Sequence, residues 1–358
     1  MTQPARYEER YRRGGLRWSA RLGIALFCLC AVFALHATLI TLPPGEDEMA
    51  AFLPAARQAA DVPASVWDAP SPVLAITAGA VDRIAGESLW PQRAGMLVWA
   101  AVVLYYSFLA AVELCGSLPG LPAVYAVLLL GLSPLFYMQS VLVHPELPAM
   151  AALAAALYYF LSERQPLGAA AGAMAALCLP AGVWVPLVPG AWLLFERRFR
   201  RALPYLAAAG GGAAFWILRE DGPAPAPGIS ASAFHTLRLF YFLFIGHGHW
   251  IALLGLLIAW REELLSRRRW RVALLMAACF AVIQMFPGRM QPERALMPVL
   301  PVLYTGAPAG LFALPAGRRW LGYGALAALL TAGHFINPLL WPFRYENNLT
   351  FAEDARLR

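Results

Sequence analysis

Long apolar runs, separated by short segments rich in arginine, recur from residue 22 to residue 340 and restrict this chain to one kind of environment. An apolar helix of roughly 20 residues matches the hydrocarbon thickness of a bilayer. Runs near that length, some shorter, occupy 22–41, 94–113, 121–138, 147–161, 168–180, 181–195, 202–218, 239–260, 271–287, 295–314 and 320–340. With 60% hydrophobic and 14% charged residues, a single water-soluble core could not cover so much apolar surface. The expected fold is an all-α polytopic membrane protein with about eleven transmembrane helices.

Orientation follows from the cations, because cytoplasmic loops collect them. The N-terminal segment carries Arg6, Arg10, Arg12, Arg13, Arg17 and Arg21 and is expected inside. Alternating from there, Arg197, Arg198, Arg200 and Arg201, then Arg261, Arg267, Arg268, Arg269 and Arg271, then Arg318 and Arg319 fall inside as well. The resulting organisation is a cytoplasmic segment 1–21, a transmembrane domain 22–340 with an outer loop at 43–93, and an outer tail 341–358. Every basic residue is Arg, so the net charge of +7 is read as a topology signal that also meets anionic lipid. It gives no support for a nucleic-acid partner.

Several chemistries are missing from the sequence. It has no Gly-rich phosphate loop, no zinc-ligand spacing and no nucleophile elbow. Cys28, Cys30, Cys115, Cys178 and Cys279 lie in spans or at a cytoplasmic edge, so no disulfide framework is expected. The first apolar run lacks a small-residue cleavage site before the acids that follow it, which argues against a cleaved signal.

Those acids are the first chemical clue. Glu46-Asp47-Glu48 directly follows the first span, and Glu146 follows His144-Pro145 between two later runs. Acids at span ends mark functional sites by default, and the alternation puts both groups on the outer face. Asp47 stands at a helix N-cap position after Pro43-Pro44-Gly45. Beyond Pro70-Ser71-Pro72, apolar Val73, Ile76, Thr77, Ala80, Val81 and Ile84 recur at helical spacing, with Asp82 and Arg83 off the stripe. That pattern predicts an interfacial helix lying on the membrane. His36 reads as a packing residue, and Trp90, Tyr137, Trp250 and Trp341 as an aromatic belt.

In this order the features resemble the lipid-sugar-dependent glycosyltransferases of the GT-C fold, the group of the protein O-mannosyltransferases and the aminoarabinose transferase of lipid A. The matching segments are Asp47-Glu48 opening a first juxtamembrane helix and Ser71-Pro72-Val73-Leu74 opening a second. Gly86 and Arg93 then lead into the second span, Ser133-Pro134-Leu135-Phe136-Tyr137 ends the third, and Glu146-Leu147-Pro148 opens the fourth. Arg294 before a span containing Pro298 and Pro301 fits as well. The chain departs from the pattern in carrying Glu146 where many relatives have Asp, and in a short loop from Arg219 to Arg238.

The resemblance implies transfer of a sugar from a polyprenyl-phosphate donor to a lipid or glycan acceptor, with inversion. The residue types suit that chemistry. An acceptor hydroxyl needs a carboxylate to take its proton, and a departing phosphate needs cations. Asp47 is the expected base, with Glu48 beside it, and Glu146 orients the acceptor or joins Asp47 in holding a divalent metal ion. No other cofactor is expected. Arg93, Arg238, Arg289 and Arg294 are candidates for the phosphate because guanidinium binds its oxygens in pairs, and His144 is a further substrate contact. A carrier of lipid-linked saccharide and an O-antigen-ligase-like transferase are the alternatives. The Lys-free, Ala- and Arg-rich composition points to a bacterial inner membrane with the site on the periplasmic or extracellular face.

Overall fold

The computed structural model describes residues 18–41, 44, 48–86, 88–115, 121–219, 257–258, 268–285, 297–314, 317, 320–322 and 324. Among them there is no strand. The first helix, α1 (Trp18–His36), runs into a tighter turn at Ala37–Thr41. A wide turn, Glu48–Phe52, opens α2 (Leu53–Asp61), a 3-10 turn at Pro63–Asp68 follows, and α3 spans Pro72–Ala85. Then come α4 (Leu89–Cys115), α5 (Leu121–Gly131), α6 (Pro134–Gln139), α7 (Glu146–Leu161) and α8 (Gln165–Cys178). After a 3-10 turn at Pro180–Val183 the chain forms α9 (Trp184–Phe195), α10 (Phe199–Ile217), α11 (Arg268–Met285) and, past a turn at Met297–Val299, α12 (Leu300–Ala313).

Two of these helices, over Ser19–His36 and Leu89–Cys115, are long and apolar enough to cross a bilayer on their own. Other expected spans are divided by proline. The stretch 121–138 is not one helix, because Pro134 has no amide to donate and starts α6, with the Ser133 hydroxyl accepting from the Phe136 amide at 3.4 Å. The expected break at Pro180 is present as the turn between α8 and α9. The expected spans 239–260 and 320–340 lie largely outside the described residues.

At the centre is α7, whose Ala- and Leu-rich sequence is buried on nearly every side, as a helix apolar all round must be. It packs on α4 and α8. The outward residues Leu22, Leu26, Phe27 and Leu35 of α1 show the opposite pattern, a large apolar face left uncovered by the protein.

The paired helices α2 and α3 lie against each other at Gly79, where an added Cβ would come within 2.9 Å of the Ala56 carbonyl oxygen. Helix α3 contacts the protein through Pro72, Leu74, Ala75, Ala78, Gly79 and Asp82. The stripe legible in the sequence points the other way, with Ile76 51% and Ile84 88% exposed. Leu74 and a row of small residues make the protein contact, and the isoleucines are left uncovered. The helix ends at Gly86, whose φ of 77° is easy only for glycine.

Contacts sort the chain into two ends. About 30 Å of helical rise, a bilayer core's thickness, separates Arg93 from Glu113 on α4. At one end Arg93 meets Glu48. At the other, Glu113 meets Arg269 at 3.4 Å, and Glu163, past the far end of α7, meets Arg201 at 3.3 Å.

Candidate active site

Glu48 is the hub of the first end. Its Oε2 accepts from Arg93 Nη2 at 2.9 Å, and its Oε1 accepts from the Val143 amide at 2.7 Å and from Arg93 Nε at 3.4 Å. Arg93 Nη1 also donates to the Ile40 carbonyl at 2.9 Å. Both side chains are dry, at 0% and 3% exposure. One ion pair thus joins the end of α1, the start of α2, the body of α4 and the loop before α7. A buried charge is tolerated only when paired and hydrogen-bonded, and here both conditions are met.

Glu48, expected beside Asp47 in the catalytic group, is buried and anchored by Arg93 and the Val143 amide. Arg93, a candidate for the phosphate, directs its fork at Glu48 and Ile40. Neither role was legible from local spacing, because the partners lie 45 residues apart.

The next residue back, Gln92, grips the other juxtamembrane helix. Its Nε2 donates to the Ala78 carbonyl at 2.7 Å and to Asp82 Oδ1. Successive helical residues point about 100° apart, so Gln92 and Arg93 reach separate partners, α3 and Glu48. Asp82 was missed as a structural residue, although its place off the apolar stripe was the available signal.

Beside the hub sits a second buried acid. Glu146, 1% exposed, opens α7, where the helix dipole favours negative charge. Its Oε2 lies 3.1 Å from His144 Nδ1, and His144 Nε2 lies 2.9 Å from the Gln139 carbonyl. A carbonyl only accepts, so Nε2 must carry a proton. The Nδ1 contact then needs another, held by the imidazole or by the carboxyl. The His144–Glu146 pair is thus a unit that shares a proton. Gln139 Oε1 is buried with no hydrogen-bond partner, which leaves an acceptor available near this pair. Sequence reading missed Gln139.

His36 is a satisfied packing residue, as expected. Its Nδ1 lies 2.6 Å from Ser140 Oγ and its Nε2 3.2 Å from the Gly131 carbonyl, with the ring edge-on to Tyr137 at 4.7 Å. Glu48, His144 and Glu146 are brought together through Val143. Asp47, Arg238, Arg289 and Arg294 lie outside the described residues. Among the described residues no three of His, Cys, Asp and Glu cluster as a metal ion would require.

No protein-family model matches the chain, and no curated protein matches it. Solved structures do. The ArnT of Cupriavidus metallidurans in its apo state superposes with a TM-score of 0.61 at 16% identity, covering 86% of this chain and 63% of that one. The same protein bound to undecaprenyl phosphate gives 0.62 at 16% identity, over 93% and 70% of the two chains. The Archaeoglobus fulgidus oligosaccharyltransferase in its apo form gives 0.54 at 12% identity, over 96% and 56%. The chain thus spans less than two thirds of the length of the first and third of these. ArnT, an aminoarabinose transferase, and the oligosaccharyltransferase are both GT-C fold glycosyltransferases, and the fold of this chain is theirs.

Proposed function

We propose that this protein is a membrane glycosyltransferase that moves a sugar from a polyprenyl-phosphate donor to a hydroxyl of a lipid or glycan acceptor. The observation that carries the reading is the anchoring of Glu48 by Arg93 and by the Val143 amide. It fixes Glu48, the residue that follows Asp47 in sequence, next to the loop that carries His144 and Glu146, within a fold shared with ArnT.

Asp47 takes the proton of the acceptor hydroxyl. The freed oxygen attacks the anomeric carbon from the face opposite the phosphate, the carbon–oxygen bond to phosphate breaks, and the electron pair leaves with the polyprenyl phosphate. One displacement inverts the centre. Arg238, Arg289 and Arg294 are assigned to the phosphate oxygens. Glu146, held by His144, orients the acceptor, and Gln139 Oε1 accepts from one of its hydroxyls.

A divalent ion held between Asp47 and Glu146 is not used in this mechanism. Glu48 is committed to Arg93, and Glu146 to His144. Asp47 and Glu146 are the residues that would hold such an ion, and no step is routed through it. We place the protein in a bacterial inner membrane with the site on the periplasmic or extracellular face, where a lipid-anchored headgroup reaches it.

The test is reconstitution of the full chain in lipid with polyprenyl-phosphate sugars and candidate acceptors, following released polyprenyl phosphate and glycosylated product. A transferase yields both in equal amounts. A carrier moves lipid-linked saccharide across the bilayer and yields neither.

A further inference from the structure

Arg219, just past the end of α10, reaches a segment 150 residues earlier. Its Nη1 donates to the Ala69 carbonyl and its Nη2 to the Asp68 carbonyl, each at 2.7 Å. Those carbonyls end the 3-10 turn Pro63–Asp68 that joins α2 to α3, and at a helix end they have no partner within the turn. The guanidinium also lies over the rings of Phe215 and Trp216, 5.5 and 5.2 Å from their centroids. Phe215 meets Trp67 of the turn edge-on at 6.1 Å, and Trp216 Nε1 donates to the Ala176 carbonyl of α8 at 2.6 Å. The arginine is therefore seated on a platform fixed to the bundle, and its planar fork matches two adjacent carbonyls in a way an ammonium cannot.

We propose that Arg219 is a positioning residue that latches the turn between the two juxtamembrane helices to the end of α10. The pair α2–α3 is then held at its start by Glu48–Arg93, on α3 by Gln92 and at its middle by Arg219, from two different helices. Losing the latch frees the turn while the dry ion pair remains, so the acid-bearing segment is held less firmly above the loop of His144 and Glu146. The consequence for turnover rests on the transferase reading, whereas the latch itself does not.

Timed trypsin cleavage of the full-length protein in detergent, read by mass spectrometry, separates the two. Arg57 on α2 and Arg83 on α3 are exposed, and Arg197, between α9 and α10, is an exposed control at the opposite end. In Arg219→Ala, cleavage after Arg57 and Arg83 rises about tenfold, as expected when one or two charge-assisted hydrogen bonds are lost, and cleavage after Arg197 stays unchanged. Arg219→Lys lies close to Arg219→Ala because the fork and the stacking are lost, and Trp67→Ala gives a smaller rise. Unchanged cleavage at Arg57 and Arg83, or an equal rise at Arg197, overturns the latch. In the transfer assay Arg219→Ala lowers kcat and leaves the donor KM within about twofold. Faster loop cleavage with wild-type kcat overturns the positioning role, and a wild-type protein without transfer activity refutes the transferase reading while the cleavage result stands.

Discussion

Glu48 and Arg93 form a buried ion pair at 2.9 Å, and through it the first juxtamembrane helix is fixed to the second long helix of the bundle. Removing either charge strands the other in the interior. Glu48→Gln and Arg93→Leu should each destabilise the protein by about 3–5 kcal/mol, the range for a broken buried pair. Thermal unfolding in detergent should show a clear drop for both single variants. The double variant Glu48→Gln/Arg93→Leu should recover part of it, because no lone buried charge remains.

The contact between α2 and α3 is set by one glycine. At Gly79 a Cβ would meet the backbone oxygen of Ala56 at 2.9 Å and the Ala60 amide nitrogen at 3.2 Å, and backbone yields little. Gly79→Ala should therefore cost about 1–3 kcal/mol, as overpacking does. Gly210 in α10 has nothing within 4 Å of such an atom. Gly210→Ala should be neutral or stabilising by up to about 1 kcal/mol through helix propensity. Unfolding temperatures of the two variants moving together would contradict the close approach.

The His144–Glu146 pair predicts coupling. Either His144→Gln or Glu146→Gln alters the same 3.1 Å contact, so the two single losses in stability should not add. A double-mutant cycle on unfolding should give about 1–3 kcal/mol of interaction. A coupling near zero would show that the 3.1 Å contact carries no weight.

Much of the scaffold could be read in the sequence because its signals are local. The apolar runs gave α1, α4 and α7, and Pro145-Glu146 marked the start of α7. Proline also set the break at Pro180. The division at Pro134 was missed because a long apolar run masked a local breaker, although Ser133-Pro134 is itself a helix start. The partners of Glu48, Arg93 and Gln92 were not legible, since helical spacing relates residues three or four apart and these partners are 10 to 95 residues away. The stripe on α3 was legible and is the side left exposed, but the burial of Asp82 on the opposite side was not, because its partner Gln92 lies on another helix.

The central claim is that Asp47 is the general base, and Asp47→Asn tests it most directly. Asn keeps the size and most of the capping ability of Asp, so the variant should insert and unfold like the wild type. Assayed with a polyprenyl-phosphate sugar, it should lose about a hundredfold or more in transfer rate, as expected for removal of a general base. A variant that folds normally and transfers sugar at the wild-type rate would contradict the account.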